Sequence, residues 1–137
     1  MKRKASAVWQ GDLKSGKGNI STESGVLKQT QYSFSTRFEN GIGTNPEELV
    51  AAAHAGCFSM AFSAELGRAG FTPETIFTTA TVTLDKTDAG FTVTESNLEM
   101  TAKIPGIDAE KFTAIANGAK AGCPISRLLN AKVSLDA

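Results

Sequence analysis

Apolar and polar positions alternate along two stretches of the chain, and this period of two indicates half-buried β-strands. In the first stretch, residues 80–84, apolar residues alternate with threonines. In the second stretch, apolar residues fall at odd positions around Phe91 and at even positions from Leu98 onward. This change of phase predicts a bulge near residues 95–97. The intervening residues 85–90 are predicted to form the turn.

A third stretch, residues 49–64, has no charged residue and is apolar on nearly every side of a helix. Asn45 followed by Pro46 is typical of a helix start, and Gly70 is typical of a position just beyond a helix end. We therefore predict one long helix ending at about residue 68 or 69, enclosed by a sheet or by a partner chain. The stretch is shorter than the roughly 20 apolar residues that span a bilayer, so we expect a core helix and no membrane anchor.

Shorter elements complete the predicted fold. Residues 5–9 indicate a first strand, and the glycine-containing residues 11–36 indicate hairpins and loops. Asp108 can cap a second helix, Pro124 suits the start of a third, and residues 133–135 suggest a last strand. This order of elements predicts an α+β fold with an antiparallel sheet and without parallel β-α-β units.

Length and composition narrow the classes of function. A chain of 137 residues and 14.4 kDa fits one domain, residues 1–137. The 14 Lys and Arg balance the 14 Asp and Glu, which argues against a partner such as nucleic acid or an anionic membrane surface. The basic start, Met1 to Lys4, lacks the apolar stretch of a signal peptide, so we expect a cytoplasmic protein.

The chain has two cysteines, Cys57 and Cys123, and one histidine, His54. These are too few for a disulfide scaffold or a structural zinc site. A cysteine within a helix is by default a small buried apolar residue. Cys123, however, directly precedes Pro124, at a predicted helix N-terminus where free N–H groups stabilise a thiolate. The two cysteines could form a redox pair, although their spacing alone cannot decide this.

Other polar residues have two interpretations each. Arg37 lies among aromatic residues and could form a salt bridge or direct its guanidinium into a pocket; the salt bridge is the commoner outcome. Glu47 and Glu48 could serve a site or only the helix dipole. His54 lies three residues before Cys57 on the same helix face and could act as a base, but a buried polar side chain with one partner is the simpler interpretation.

Two segments carry a resemblance to a known family. Residues 43–61 read GTNPEELVAAAHAGCFSMA and strongly resemble the core helix of the OsmC/Ohr family, and residues 119–126 read AKAGCPIS and resemble its second cysteine motif. Matches at residues 9–12, 21–27 and 36–39 extend the likeness over essentially the whole chain, nearest to the OsmC branch. The resemblance implies an α+β fold, with an antiparallel β-sheet wrapped around a buried central helix in an intertwined homodimer.

The same resemblance implies an activity and a set of site residues. The family contains thiol-dependent peroxidases that reduce organic hydroperoxides, and hydrogen peroxide more weakly, in stress defence. By position, Cys57 resembles the peroxidatic cysteine, Cys123 the resolving cysteine, Arg37 the thiolate-stabilising arginine and Glu47 its paired carboxylate. His54 matches no catalytic position. The implied cycle passes through a Cys57 sulfenic acid and a Cys57–Cys123 disulfide, which an external dithiol such as a lipoylated protein reduces without metal, haem or flavin.

Helix geometry adds one expectation. Glu47 and Cys57 are ten residues apart on one helix, about 15 Å along its axis, so a site containing both would be shared between the subunits of a homodimer.

An apolar pocket formed by residues such as Phe58, Met60 and Phe62 is expected to favour an organic hydroperoxide. The alternatives are a cysteine hydrolase, with His54 as its base, and a non-catalytic redox sensor.

Overall fold

The computed structural model describes residues 1–137, and the chain divides into two compact units, Met1–Leu49 and Val50–Ala137. The single-domain organisation expected from the length stays a prediction. The elements in chain order are β1 (Ala5–Gln10), β2 (Lys17–Thr22), β3 (Thr30–Tyr32), α1 (Phe34–Phe38), α2 (Pro46–Arg68), β4 (Thr75–Thr87), β5 (Gly90–Lys103), α3 (Ala109–Gly122), α4 (Pro124–Leu128) and β6 (Lys132–Asp136). Helices and two separate sheets confirm the α+β fold class.

The first unit contains an antiparallel sheet in the order β1-β2-β3. Gly18 of β2 pairs with Trp9 and with Tyr32, whose rings lie 5.5 Å apart. A Cβ atom at Gly18 would approach the Tyr32 ring to 2.5 Å and the Trp9 ring to 2.7 Å, so only glycine lets the two rings close over the strand. The hairpins and loops predicted for residues 11–36 are confirmed as far as Tyr32, whereas residues 34–36 belong to a helix.

The short helix α1 was not expected from the sequence. Ser33 caps it, since the Ser33 hydroxyl accepts a hydrogen bond from the N–H of Thr36 and the Thr36 hydroxyl accepts one from the N–H of Ser33. This reciprocal pair is a capping box in which threonine takes the place of the usual Glu or Gln. Arg37 consequently lies on a helix and not on a strand.

In the second unit, β4 and β5 form a long antiparallel hairpin. The predicted bulge is confirmed, because Thr83 pairs with Glu95 whereas Leu84 pairs with Val93, which leaves Thr94 as the additional residue. The expected turn over residues 85–90 is wrong in extent, since pairing continues to Thr87 and Gly90. Residues 85–87 at the end of β4 continue the strand although their side chains are polar and two of them, Asp85 and Lys86, are charged.

The expectation of a purely antiparallel sheet is wrong at one edge. The last strand, β6, pairs with β5 in parallel, with Leu98 opposite Leu135. Two helices, α3 and α4, connect these strands, and such a crossover returns the chain to the starting end of the sheet. Asp108 caps α3 through a 2.8 Å hydrogen bond from the N–H of Lys111, as predicted.

The core of the second unit is built around one face of α2. The buried residues of this helix recur every four positions and are His54, Phe58, Phe62 and Leu66. Phe62 meets Phe112 of α3 edge to face at 5.7 Å between ring centroids. Leu98 and Met100 of β5 also belong to this core.

The opposite face of α2 is exposed in the single chain. It carries mostly small residues together with Met60, which is 77% exposed; the members are Ala52, Ala53, Gly56, Met60, Ser63, Ala64 and Gly67. The helix is long and apolar enough to cross a membrane by length and composition, and 22% of its apolar window is buried. This chain therefore covers one face of α2 and leaves the other face exposed, because a sheet can cover only one face of a helix.

Candidate active site with a thiol pair and an ion pair

The fold of the second unit brings the two cysteines together. Cys57 lies in α2, Cys123 lies between α3 and α4, and the two sulfur atoms are within hydrogen-bond distance of each other at 3.0 Å. Both are free thiols, with Cys123 buried and Cys57 half-buried. A sulfur–sulfur bond is about 2.05 Å long, so a closing movement of about 1 Å would join the two atoms. The arrangement can support reversible disulfide chemistry.

Local sequence determines the position of Cys123. Its N–H donates to the carbonyl of Ala119 at 2.9 Å and so ends α3. The next residue, Pro124, occupies the first turn of α4, where its missing N–H costs no hydrogen bond. Cys123 is therefore the N-cap residue of α4, and its sulfur lies at the positive end of a short helix, as the sequence predicted.

The two thiols differ in their tendency to ionise. Burial and the hydrogen bond with Cys123 raise the pKa of the Cys57 thiol. Burial also opposes ionisation of Cys123, but the hydrogen bond with Cys57 and the polar groups of Ser126 outweigh burial and lower the pKa of the Cys123 thiol. Within this unit, neither thiol owes its pKa shift to a cationic side chain.

Arg37 and Glu47 form an ion pair within the first unit. The Arg37 Nη2 and Glu47 Oε1 atoms are 2.6 Å apart, and Arg37 Nε lies 3.2 Å from each carboxylate oxygen. The side chains are 36% and 14% exposed, respectively. The salt bridge favoured by the sequence is present, and its forked geometry fixes the guanidinium plane.

An apolar cavity of about 240 Å³ adjoins Arg37 in the same unit. Its lining is mostly aromatic and consists of Trp9, Leu13, Tyr32, Ser33, Phe34, Arg37 and Phe38. The Arg37 side chain thus also lines a pocket, while its guanidinium nitrogens bind Glu47. The expected pocket residues Phe58 and Phe62 are fully buried in the core and line no open cavity, whereas Met60 is exposed. The aromatic residues around Arg37 were the sequence signal that could have located this pocket.

Comparison with known proteins places the chain in a family. The family model described as OsmC-like protein matches residues 38–137. This chain belongs to the OsmC-like family. The Escherichia coli (strain K12) protein named peroxiredoxin OsmC is 59% identical over 134 residues, which cover 98% of this chain and 94% of that protein.

More distant OsmC-like relatives agree in sequence and fold. The Bacillus subtilis (strain 168) organic hydroperoxide resistance protein OhrB is 27% identical over 119 residues, covering 86% of this chain and 85% of the relative. The crystal structure of OhrB from Bacillus subtilis superposes with a TM-score of 0.75 at 26% identity, covering 97% of this chain and 96% of that one. The OsmC-like fold inferred from the sequence is thereby confirmed.

The span matched by the OsmC-like family model includes three of the four predicted site residues, Glu47, Cys57 and Cys123. Arg37 lies one residue before it. The structure brings these four residues together as two pairs, Cys57 with Cys123 and Arg37 with Glu47. No group of three or more His, Cys, Asp or Glu side chains is arranged to hold a metal ion.

His54 of this OsmC-like chain has two partners, where the sequence suggested one. It is fully buried, with Nδ1 2.6 Å from the Ser96 hydroxyl and Nε2 2.7 Å from the Ser126 hydroxyl. Burial lowers the pKa of the His54 imidazole, which favours the neutral ring. Because both ring nitrogens are engaged by hydroxyls, His54 is not placed as the base of a Cys57 hydrolase.

Proposed function

We propose that this chain is a thiol peroxidase that reduces organic hydroperoxides to alcohols, and hydrogen peroxide more weakly. The observation that carries the proposal is the 3.0 Å approach of Cys57 and Cys123, two residues 66 positions apart in the sequence. The 59% identity to a protein named peroxiredoxin OsmC supports it, as does the likeness to an organic hydroperoxide resistance protein.

The proposed cycle uses only these sulfur atoms and an external reductant. The Cys57 thiolate attacks the peroxide O–O bond, and the leaving alkoxide takes a proton to become an alcohol. Cys57 is oxidised to a sulfenic acid, and Cys123 then bonds to its sulfur while the hydroxyl leaves with the thiol proton as water. A dithiol, a lipoylated protein being one such donor, reduces the disulfide by thiol–disulfide exchange.

Activation of Cys57 requires a cation, because its thiol has a raised pKa in the single chain. The Arg37–Glu47 pair is the candidate. Glu47 and Cys57 are ten residues apart on α2, about 15 Å along the helix axis. We therefore infer a homodimer in which the ion pair of one protomer serves the thiol of its partner.

The exposed face of α2 supports a dimer. Its small residues, such as Gly56 and Ala64, permit close approach of another backbone, and Met60 offers an adaptable apolar side chain. A second copy of this face would complete the burial that an all-round apolar helix needs.

We also propose that the protein is cytoplasmic, as expected from the sequence.

The aromatic cavity supports a preference for organic peroxides. Trp9, Phe34 and Phe38 present apolar surface beside the Arg37 guanidinium. An alkyl or aryl group of the substrate can occupy this surface while the peroxide oxygens remain near the cation. Hydrogen peroxide has no such group and gains none of this binding energy.

The test is consumption of peroxide in the presence of a dithiol. Wild type, Cys57→Ser and Cys123→Ser are compared with tert-butyl hydroperoxide, cumene hydroperoxide and hydrogen peroxide. We expect no turnover for Cys57→Ser, and for Cys123→Ser a sulfenic acid at Cys57 without an internal disulfide. Turnover by Cys57→Ser at the wild-type rate would refute the proposal, and a single oxidation without turnover would identify a redox sensor instead.

A further inference from the structure

A line of polar contacts runs from β5 through the core to the short helix that Cys123 caps. Ser96 on β5 contacts Nδ1 of His54 at 2.6 Å, and Nε2 of His54 contacts Ser126 on α4 at 2.7 Å. Ser126 is the third residue after Cys123 and lies in the first turn of the helix that Cys123 caps. The buried imidazole is thus connected through one hydroxyl to the environment of the Cys123 sulfur.

Cys123 caps α4 but makes no side-chain capping hydrogen bond in the reduced state. The Cys57 thiol, the N–H groups of Ile125 and Ser126 and the Ser126 hydroxyl each favour ionisation of the Cys123 thiol and lower its pKa. Once ionised it is a stronger acceptor, and a nearby hydroxyl hydrogen can stabilise it.

The histidine tautomer decides where the Ser126 hydrogen points. A neutral imidazole donates from one nitrogen and accepts at the other. If Nε2 carries the hydrogen, it donates to the Ser126 oxygen, and the single hydroxyl hydrogen of Ser126 is free to point to the sulfur. Ser96 then donates to Nδ1, and because Ser96 is fully buried it has no competing water.

We propose that His54 is a positioning residue for the resolving step, holding the Ser126 hydroxyl so that it donates a hydrogen bond to the Cys123 thiolate. That thiolate attacks the Cys57 sulfenic acid: a sulfur–sulfur bond forms, the sulfur–oxygen bond breaks, and the released hydroxide combines with the proton lost by Cys123 to give water. The role in turnover rests on the proposed peroxidase function, whereas the effect on the Cys123 thiol does not.

The first experiment measures the Cys123 thiol by itself. In a Cys57→Ser background, ultraviolet absorbance of the thiolate is followed against pH for the parent protein, Ser126→Ala, His54→Leu and His54→Gln. We expect Ser126→Ala and His54→Leu to titrate at higher pH than the parent. His54→Gln should recover the parent value in part, because an amide nitrogen at the end of Gln can still donate to Ser126.

The second experiment separates the two oxidation steps. After one equivalent of tert-butyl hydroperoxide, rapid quenching and mass spectrometry measure the sulfenic acid at Cys57 and then the disulfide. In Ser126→Ala we expect sulfenic acid to form at the wild-type rate and the disulfide about tenfold more slowly, as for loss of a hydrogen bond to a charged group. Ser59→Ala is the matched control, since the Ser59 hydroxyl joins α2 to Thr78 of β4 at 2.8 Å and contacts neither sulfur.

The outcomes separate this inference from the proposed function. A wild-type rate of disulfide formation in Ser126→Ala, with an unchanged thiol titration, overturns the role of His54 and Ser126. Failure of the wild type and of every variant that retains Cys57 to form a sulfenic acid overturns the peroxidase, and the titration still decides the positioning role. If His54→Leu fails to fold, as judged by circular dichroism, Ser126→Ala alone tests the proposal. Ser126 is only half-buried.

Discussion

The two pairs of functional groups in this chain occupy opposite environments. Arg37 and Glu47 form an ion pair that reaches solvent, whereas Cys123 is buried in an apolar core and Cys57 packs against that core. The pairs also belong to different units of the chain. The thiol that must ionise lies where burial opposes its charge, and the guanidinium that could help it is already neutralised by a carboxylate. Because the ion pair and the thiol pair belong to different units, the proposed function depends on assembly of a homodimer.

The largest effect is expected from breaking the assembly. Met60→Glu would place an unpaired carboxylate in the proposed dimer interface, and a buried unpaired charge costs several kcal/mol. We expect the dimer dissociation constant to rise about a hundredfold, with peroxide turnover falling in parallel at low protein concentration. Sedimentation equilibrium measures this. Val26→Glu, at a residue 84% exposed, is the matched control, and an unchanged monomeric state in wild type and variant would contradict the dimer.

Removing the Arg37 cation tests its proposed effect on the reactivity of the Cys57 thiol. Arg37→Met retains apolar bulk beside the aromatic cavity but lacks the charge. We expect the rate of Cys57 oxidation at neutral pH to fall about tenfold or more, as when a cation near a thiolate is lost. Tm is also expected to fall, because Glu47, which is 14% exposed, is left without its cation, so the rates are compared at a temperature at which the variant stays folded. Arg68→Met, which breaks the exposed pair with Glu65, is the control, and equal rates in both variants would argue against Arg37.

The pH dependence of the Arg37→Met variant sharpens the same comparison. Burial raises the pKa of the Cys57 thiol, so without a cation the thiol stays protonated at neutral pH. Below its pKa the thiolate fraction grows roughly tenfold for each pH unit, and the oxidation rate of the variant should rise accordingly. The wild-type rate should level off at lower pH. Stopped-flow measurement across the neutral range would show parallel profiles if Arg37 had no influence on Cys57.

The smallest effect concerns the wall of the aromatic cavity. Gly18→Ala forces a methyl group against the Tyr32 and Trp9 rings, and such overpacking typically costs about 1–3 kcal/mol. We expect a lower Tm and a weaker preference for cumene hydroperoxide over hydrogen peroxide, with the Cys57–Cys123 disulfide forming normally. Gly118→Ala is the control, because a Cβ there meets no atom within 4 Å and alanine favours the helix.

Much of the fold could be predicted because local signals specify it. The cap at Asp108, the bulge near Glu95 and the glycine after α2 each depend on a few neighbouring residues. The parallel edge strand β6 could not be predicted, since its partner depends on where two helices return the chain. Helix α1 was missed because a Thr in the capping box is a weak signal beside its flanking aromatic residues.

The candidate site was predictable only in part. The residues themselves favoured a buried role for Cys57 and left the pairing with Cys123 open; the resemblance to a family suggested it. The partners of His54 lie 42 and 72 residues away at Ser96 and Ser126, and no local pattern marks either serine. Long-range contacts of this kind follow from the packing of three elements and have no periodicity to reveal them.

Thr94 has no partner residue in β4, and this extra residue determines which face of the sheet each later side chain of β5 occupies. From this residue onward, even-numbered side chains face the core, among them Ser96, Leu98 and Met100. Deleting one residue here would exchange inward and outward faces and remove the hydroxyl that meets His54. We therefore expect residues 94–103 of β5 to tolerate substitutions far better than insertions or deletions.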